Sequence, residues 1–439
     1  MPLADILLEI WQETFLAIGY IGLILIIFEG GLTSRMDLLK QNFFLSMLAA
    51  TTGVLFPIGL SYLLLYLGFG YGAVETFIIG AALSTTSLGT TFAVIGGASK
   101  DIDLSQTRVG TVLVSAAVID DVSGLVMSSV IHDLGSISGG ADVNLGWLIG
   151  RPILASILMA ALTPLFCKYV FVPLFRRYIE HHFARYDHFS NIVLMVVILC
   201  AFISIASFAG TSVLFGAFLA GSFITYLPSK HPDGPFVVYS REHGEQNDDK
   251  SPTFVHTFEK YFSDTQKYLM EPLFFASIGF AIPFIDLWSG SAIWHGVVYT
   301  LLMLLAKVIV GIWIPLWDAV TKGRTANDSK PLLLETLPTA GLLGFAMVAR
   351  GEIGLLIVEI GYNSTPYVSD AGFYTAVWAI LLNTIIGPMV VGIIIKFRGK
   401  GIGSGSWGIQ DSEENDGSEK PQSNSQDQRL EEGSDMSAQ

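Results

Sequence analysis

The residues best placed to do chemistry are two adjacent carboxylates, Asp120 and Asp121. They sit in the middle of the apolar run Val114-Ser115-Ala116-Ala117-Val118-Ile119-Asp120-Asp121-Val122-Ser123-Gly124-Leu125. A charge at such a depth costs roughly several kcal/mol, so it marks a functional site by default. Neither residue lies near a helix end, where it would serve as a cap. Consecutive helical residues point about 100° apart. One carboxylate can therefore face an aqueous cavity while the other faces a neighbouring helix. Two carboxylates this close cannot both ionise freely, which suits a site that binds a cation or a proton but never both.

Few other charges lie in apolar surroundings. Lys307, in Leu304-Leu305-Ala306-Lys307-Val308, must snorkel, lose its proton or pair with an acid. It lies about ten residues from the nearer polar link, roughly 15 Å along a helix, so pairing with Asp120 is preferred over snorkelling. Arg350 and Glu352 fall inside a run containing Gly341, Gly344, Gly351 and Gly354. Glycines and charges at that depth predict a helix broken into two halves, tolerated only where its backbone lines a cavity or is packed in protein. A matching interruption, Ser84-Thr85-Thr86-Ser87-Leu88-Gly89-Thr90-Thr91, occurs earlier. Its hydroxyls and freed carbonyls could ligate a small, partly dehydrated cation; ordinary helix packing by small residues is the alternative. Glu29 ends the first apolar segment and either pairs with Arg350 or sits at the interface. His132, His181 and His182 lie in or beside links, where solvation is the base case and a pH-sensing role for the last two the alternative.

The elements that must hold these residues are long apolar segments. The chain of 439 residues is 51% hydrophobic and 14% charged, little more than half the charge of a soluble domain. Eleven segments, each near the length that spans about 30 Å of hydrocarbon, cover about 12–30, 43–69, 74–97, 107–131, 147–174, 189–208, 211–228, 267–285, 292–319, 332–361 and 370–396. Basic residues collect in alternate links: Arg35 and Lys40, Lys100 and Arg108, Arg176 and Arg177, Lys230 and Arg241, Lys322 and Arg324, Lys396 and Arg398. The positive-inside rule makes those links and the C-terminus cytoplasmic and the N-terminus external. The expected protein is all-α, polytopic and integral to a membrane, plasma or internal. Its divisions are a first transmembrane part (1–228), a polar cytoplasmic loop (229–264), a second transmembrane part (265–398) and a disordered acidic tail (399–439). Loop and tail are regulatory platforms or plain solvated linkers. No signal peptide is expected at the N-terminus.

The net charge of −14 comes largely from the loop and the tail, so it implies no charged macromolecular ligand and no nucleic-acid partner. Cys167 and Cys200 read as small buried side chains. No cofactor fingerprint, metal cluster or nucleophile–base pair stands out. No cofactor is expected and no enzyme activity.

In these residues the chain resembles the cation:proton antiporter superfamily, the sodium/hydrogen exchanger domain, and looks closest to its electrogenic branch with a two-aspartate motif. The resemblance rests on Ala116 to Val122, the Thr86 to Thr91 break, Gly216 to Gly221, Phe274 to Gly279, Lys307, and Arg350-Gly351-Glu352, in the family's order. It implies a thirteen-helix fold with inverted repeats, two crossed discontinuous helices and a separate dimer panel. It makes Asp121 the binder of Na+ or K+ and of H+, and Asp120 the partner of Lys307. Thr90 and Thr91 would lie at the crossing. Apart from the resemblance, Arg350, Glu352 and Glu29 are expected to form structural ion pairs. By the same resemblance the first two family helices are missing here. The expected activity is exchange of Na+ (K+ or Li+ as alternatives) for H+ by a homodimer in the bilayer; a channel or non-transporting sensor is the competing expectation.

Overall fold

The computed structural model describes residues 9–34, 42–87, 107–136, 145–179, 187–227, 253–281, 284–321, 332–403 and 407–408. Among them the fold is all helical, and helix falls within each of the eleven apolar segments. Seven helices or joined helices are long and apolar enough to cross a membrane, among the described residues. With no water to satisfy exposed backbone, such segments must close every hydrogen bond internally, which a helix does.

In chain order the helices are α1 (Glu9–Thr33), α2 (Phe43–Ser61), α3 (Ala73–Ala82), α4 (Arg108–Ser136), α5 (Leu145–Phe166), α6 (Val172–Tyr178), α7 (Asp187–Ala209) and α8 (Val213–Ile224). There follow α9 (Phe254–Tyr261), α10 (Glu271–Ala281), α11 (Gly290–Val308), α12 (Trp313–Thr321), α13 (Leu332–Ala346), α14 (Glu352–Ser364) and α15 (Asp370–Gly403). Between α11 and α12 a 3₁₀ turn, Ile309–Ile312, tightens the span just past Lys307. Both predicted breaks show unwound chain. The helix α3 stops at Ala82, after about 15 Å, half the hydrocarbon thickness. The tenth segment divides into α13 and α14.

Helix contacts sort into two groups. One holds α1, α7, α8 and α10; the other holds α2, α3, α4, α11, α13, α14 and α15. The first is drawn together by glycine. A Cβ on Gly221 of α8 would collide with the backbone of Phe28 and Leu32 on α1, so the two helices touch backbone to backbone. In the second group α4 is central: 67% of its apolar window is buried, against 17% for α7, which turns most of its surface outward.

Three details depart from the sequence reading. The loop assigned to 229–264 becomes helical at α9, because Phe254 and Phe258 are buried where that helix packs on α1 and α7. The helix α15 runs on to Gly403, and Trp407, inside the expected disordered tail, is buried. Cys167 is buried as expected, but Cys200 is exposed on the outer side of α7.

Candidate functional site

The two unwound stretches lie against one another. Ser87 N–H donates to the Ala349 carbonyl at 2.8 Å, stitching the breaks together. Each break frees helix-terminal carbonyls that need donors. The hydroxyls of Ser84 and Thr85 donate back to Ala81 and Ala82 at 2.7 and 2.9 Å, closing the end of α3. Arg350 Nη1 donates to the Thr85 carbonyl at 2.7 Å, and Thr384 of α15 donates to the Arg350 carbonyl at 2.9 Å. A side chain at Gly351 would bring its Cβ to 3.0 Å from Ser87, so this close crossing asks for glycine.

Beside the crossing, Lys307 Nζ donates to Asp120 Oδ2 at 2.6 Å, and both side chains are wholly buried. Thr86 completes the arrangement. Its hydroxyl donates to Asp120 Oδ2 at 2.7 Å and accepts from Lys307 Nζ at 2.9 Å. Gly53 of α2 leaves the room, since a Cβ there would lie 3.2 Å from Lys307 Nζ. Charge-assisted bonds of this length are strong, and in such a site they offset part of the cost of burying two ions.

Asp121 faces the other way, as the 100° turn between neighbours requires. It lines a cavity of about 330 Å³ between the two helix groups, together with Glu29 and Thr33 of α1, Thr85, Thr86 and Glu352. The carboxylates and hydroxyls that line this cavity are hard oxygen donors, which suit a small monovalent cation, and each carboxylate can instead hold a proton.

The structure therefore brings together Asp120, Lys307 and Thr86 in one cluster and sets Asp121, Glu352 and Glu29 around one cavity. It does not join Glu29 to Arg350. Glu29 Oε2 accepts from Gln266 at 2.7 Å, because the end of α1 packs against the turn leading into α10. Nor does Arg350 meet Glu352: Glu352 faces the cavity, whereas Arg350 is directed at the end of α3. Among the described residues neither Glu29, Arg350 nor Glu352 forms an ion pair. Thr90, Thr91, His181 and His182 lie outside the described residues. His132 is exposed beside Asp133. The sequence reading did not single out Thr86 from the hydroxyls around it. Gly53 and Gln266 carried no signal at all, being an ordinary glycine and an ordinary link residue.

Apolar helices long enough to cross a membrane, with the unwound chain after α3 and the unwound chain between α13 and α14 touching beside a buried ion pair, define the class: a polytopic helical membrane protein with the unwound segments of secondary transporters. The chain belongs to the sodium/hydrogen exchanger transmembrane family, whose family model matches residues 5–397. It is 26% identical over 377 residues to a Na(+)/H(+) antiporter of Enterococcus hirae, covering 86% of this chain and 84% of that protein. It is 25% identical to the Na(+)/H(+)-K(+) antiporter GerN of Bacillus cereus, covering 86% and 82%. The fold is similar to that of the sodium proton antiporter MjNhaP1 from Methanocaldococcus jannaschii, with a TM-score of 0.53, 17% identity, and coverage of 87% and 85%.

Proposed function

We propose that this protein exchanges Na+ for H+ across a membrane by alternating access, with Asp121 as the group that carries either ion. The observation that carries the reading is the division of labour between adjacent residues: Asp120 is sealed against Lys307, while Asp121 opens onto the cavity between the helix groups. A proton on Asp121 leaves no charge for a cation, and a bound cation excludes the proton. Competition for one carboxylate therefore couples the two flows. Movement of the α4 group against the α1 group would then carry the site from one side to the other. With α4 beginning on the cytoplasmic side, as the positive-inside pattern directs, the cavity reaches Glu29 and Thr33 from the cytoplasm.

The two-aspartate, electrogenic branch fits the same geometry. Na+ binding at Asp121 weakens the hold of Asp120 on Lys307, and a proton released from the lysine adds to the charge moved per cycle. The eleven apolar segments are read as spans arranged in two inverted repeats, with the α1 group as the panel of a homodimer. The name of the Bacillus cereus relative makes K+ the second cation to test.

The test is a pH jump across proteoliposomes holding the purified protein, with 22Na+ and 86Rb+ followed side by side. A proton gradient should drive uphill cation movement, which a channel never does. Asp121→Asn should abolish it. Full flux in that variant overturns the assignment of Asp121, and cation movement that only follows its own gradient overturns exchange.

A further inference from the structure

Far from the cavity, a short piece of chain beyond α15 is built into the start of α4. Trp407 is 2% exposed and packs among Val109, Val112, Ile314, Ile395 and Ile402. Its indole Nε1 donates to Asp318 Oδ2 of α12 at 2.9 Å, and the Arg108 guanidinium of α4 lies 4.5 Å over its ring. The backbone joins as well. Arg108 N–H donates to the Gly408 carbonyl at 3.0 Å and Val109 N–H to the Trp407 carbonyl at 3.3 Å. With Gly110 N–H donating to Thr107 Oγ1 at 3.1 Å, the exposed donors of the first turn of α4 are met. Much of the end of α4 is thus finished by residues some three hundred positions later in the chain.

The two helices that Trp407 ties are the ones that supply the buried ion pair. Asp120 lies twelve residues along α4 from Arg108, and Lys307 lies eleven residues before Asp318 on the joined α11–α12 span. Both lever arms are therefore similar, about 16–18 Å at 1.5 Å per residue. We propose, resting on the exchange reading above, that Trp407 is a positioning residue for transport. By fixing the spacing of α4 and α12 at one end it sets how closely Asp120 and Lys307 meet. The charged groups that bear on Asp120 are Lys307 from α11, Arg350 from the second break and Asp121 beside it. None of them touches Trp407, so an effect on the site must travel through the helices. Because packed helices shift as units, loss of the tie should change the cation and proton balance of the site and not its stability alone.

The experiment compares full-length wild type, Trp407→Ala and Trp407→Phe in proteoliposomes, reading the pH midpoint of exchange and the Na+ KM, with Tm recorded alongside. Trp407→Ala should move the midpoint by about half a pH unit and the KM by about threefold, equivalent to a sub-kilocalorie change at the site. Trp407→Phe keeps a ring over Arg108 and loses only the bond to Asp318, so it should show a smaller shift in the same direction. A wild-type midpoint and KM in Trp407→Ala, whatever its Tm, overturns the proposal. If that variant does not reconstitute, Trp407→Phe decides by the same criterion. Wild-type protein that shows no exchange overturns the functional reading instead, so the two failures are distinguishable.

Discussion

Removing Lys307 alone should be far more damaging than removing Lys307 and Asp120 together. The Nζ–Oδ2 distance of 2.6 Å and full burial of both side chains set the scale. At an effective dielectric constant of about 20, two unit charges that close attract by roughly 6 kcal/mol. Desolvating the pair costs about several kcal/mol per ion, so the intact pair is close to neutral in net stability. Lys307→Met leaves Asp120 with one hydroxyl, Thr86, and with Oδ1 unpartnered. An orphaned buried charge of this kind costs about 3–5 kcal/mol. In the double variant Lys307→Met/Asp120→Asn no charge is stranded, and a coupling of about 2 kcal/mol or more should return. Intrinsic fluorescence of the 8 tryptophans on heating in detergent reads the order directly. The expected ranking of Tm is wild type, then the double variant, then Lys307→Met. The deficit of the single variant should shrink as pH falls, because protonation neutralises the stranded carboxylate. Additive losses in the double variant would refute the idea that one buried pair holds α4 to α11.

Three further outcomes follow from the same geometry. Thr86→Val keeps the shape but removes the hydroxyl between the two charges; it should cost about 1–3 kcal/mol in stability, read as a lower Tm, and should alter the pH profile of exchange. Gly221→Val sets a branched side chain against the α1 backbone, and should destabilise by about 1–3 kcal/mol or more, seen as loss of the monodisperse peak on size exclusion while Gly221→Ser is milder. As pH falls, the apparent Na+ KM of the wild type should rise by up to about tenfold per unit, the limit for one-proton competition at Asp121; a KM independent of pH would mean that the two ions do not share a group.

The helical character of the apolar segments was legible because lipid leaves no choice: a long apolar run must close its backbone hydrogen bonds internally. The breaks were legible for the complementary reason that Gly351, Glu352 and the Ser84 to Thr86 hydroxyls make no sense inside a continuous lipid-facing helix. Burial of Lys307 and Asp120 in apolar runs announced that each needed a partner. Finer detail was not available in one dimension. Arg350 and Glu352 lie two residues apart, yet the break sends them to different surroundings, one to the end of α3 and one to the cavity. Glu29 took Gln266 as its partner because of how α1 and the α10 turn pack, a matter of helix rotation that periodicity does not encode. The choice of Thr86 among neighbouring hydroxyls was likewise decided by the crossing.

By itself, then, the sequence determined which residues had to be buried, which of them were charged, and where helices had to break, since those follow from the local cost of exposing backbone or charge to hydrocarbon. The Lys307–Asp120 pairing could be preferred from the sequence, but only the tertiary structure decided that Arg350 and Glu29 take the Thr85 carbonyl and Gln266 and not each other. Contact between α4, α11 and the crossed breaks depends on how whole helices rotate and pack. The same packing brought Trp407, from a tail that looked unable to fold, onto the end of the helix that carries Asp120 and Asp121.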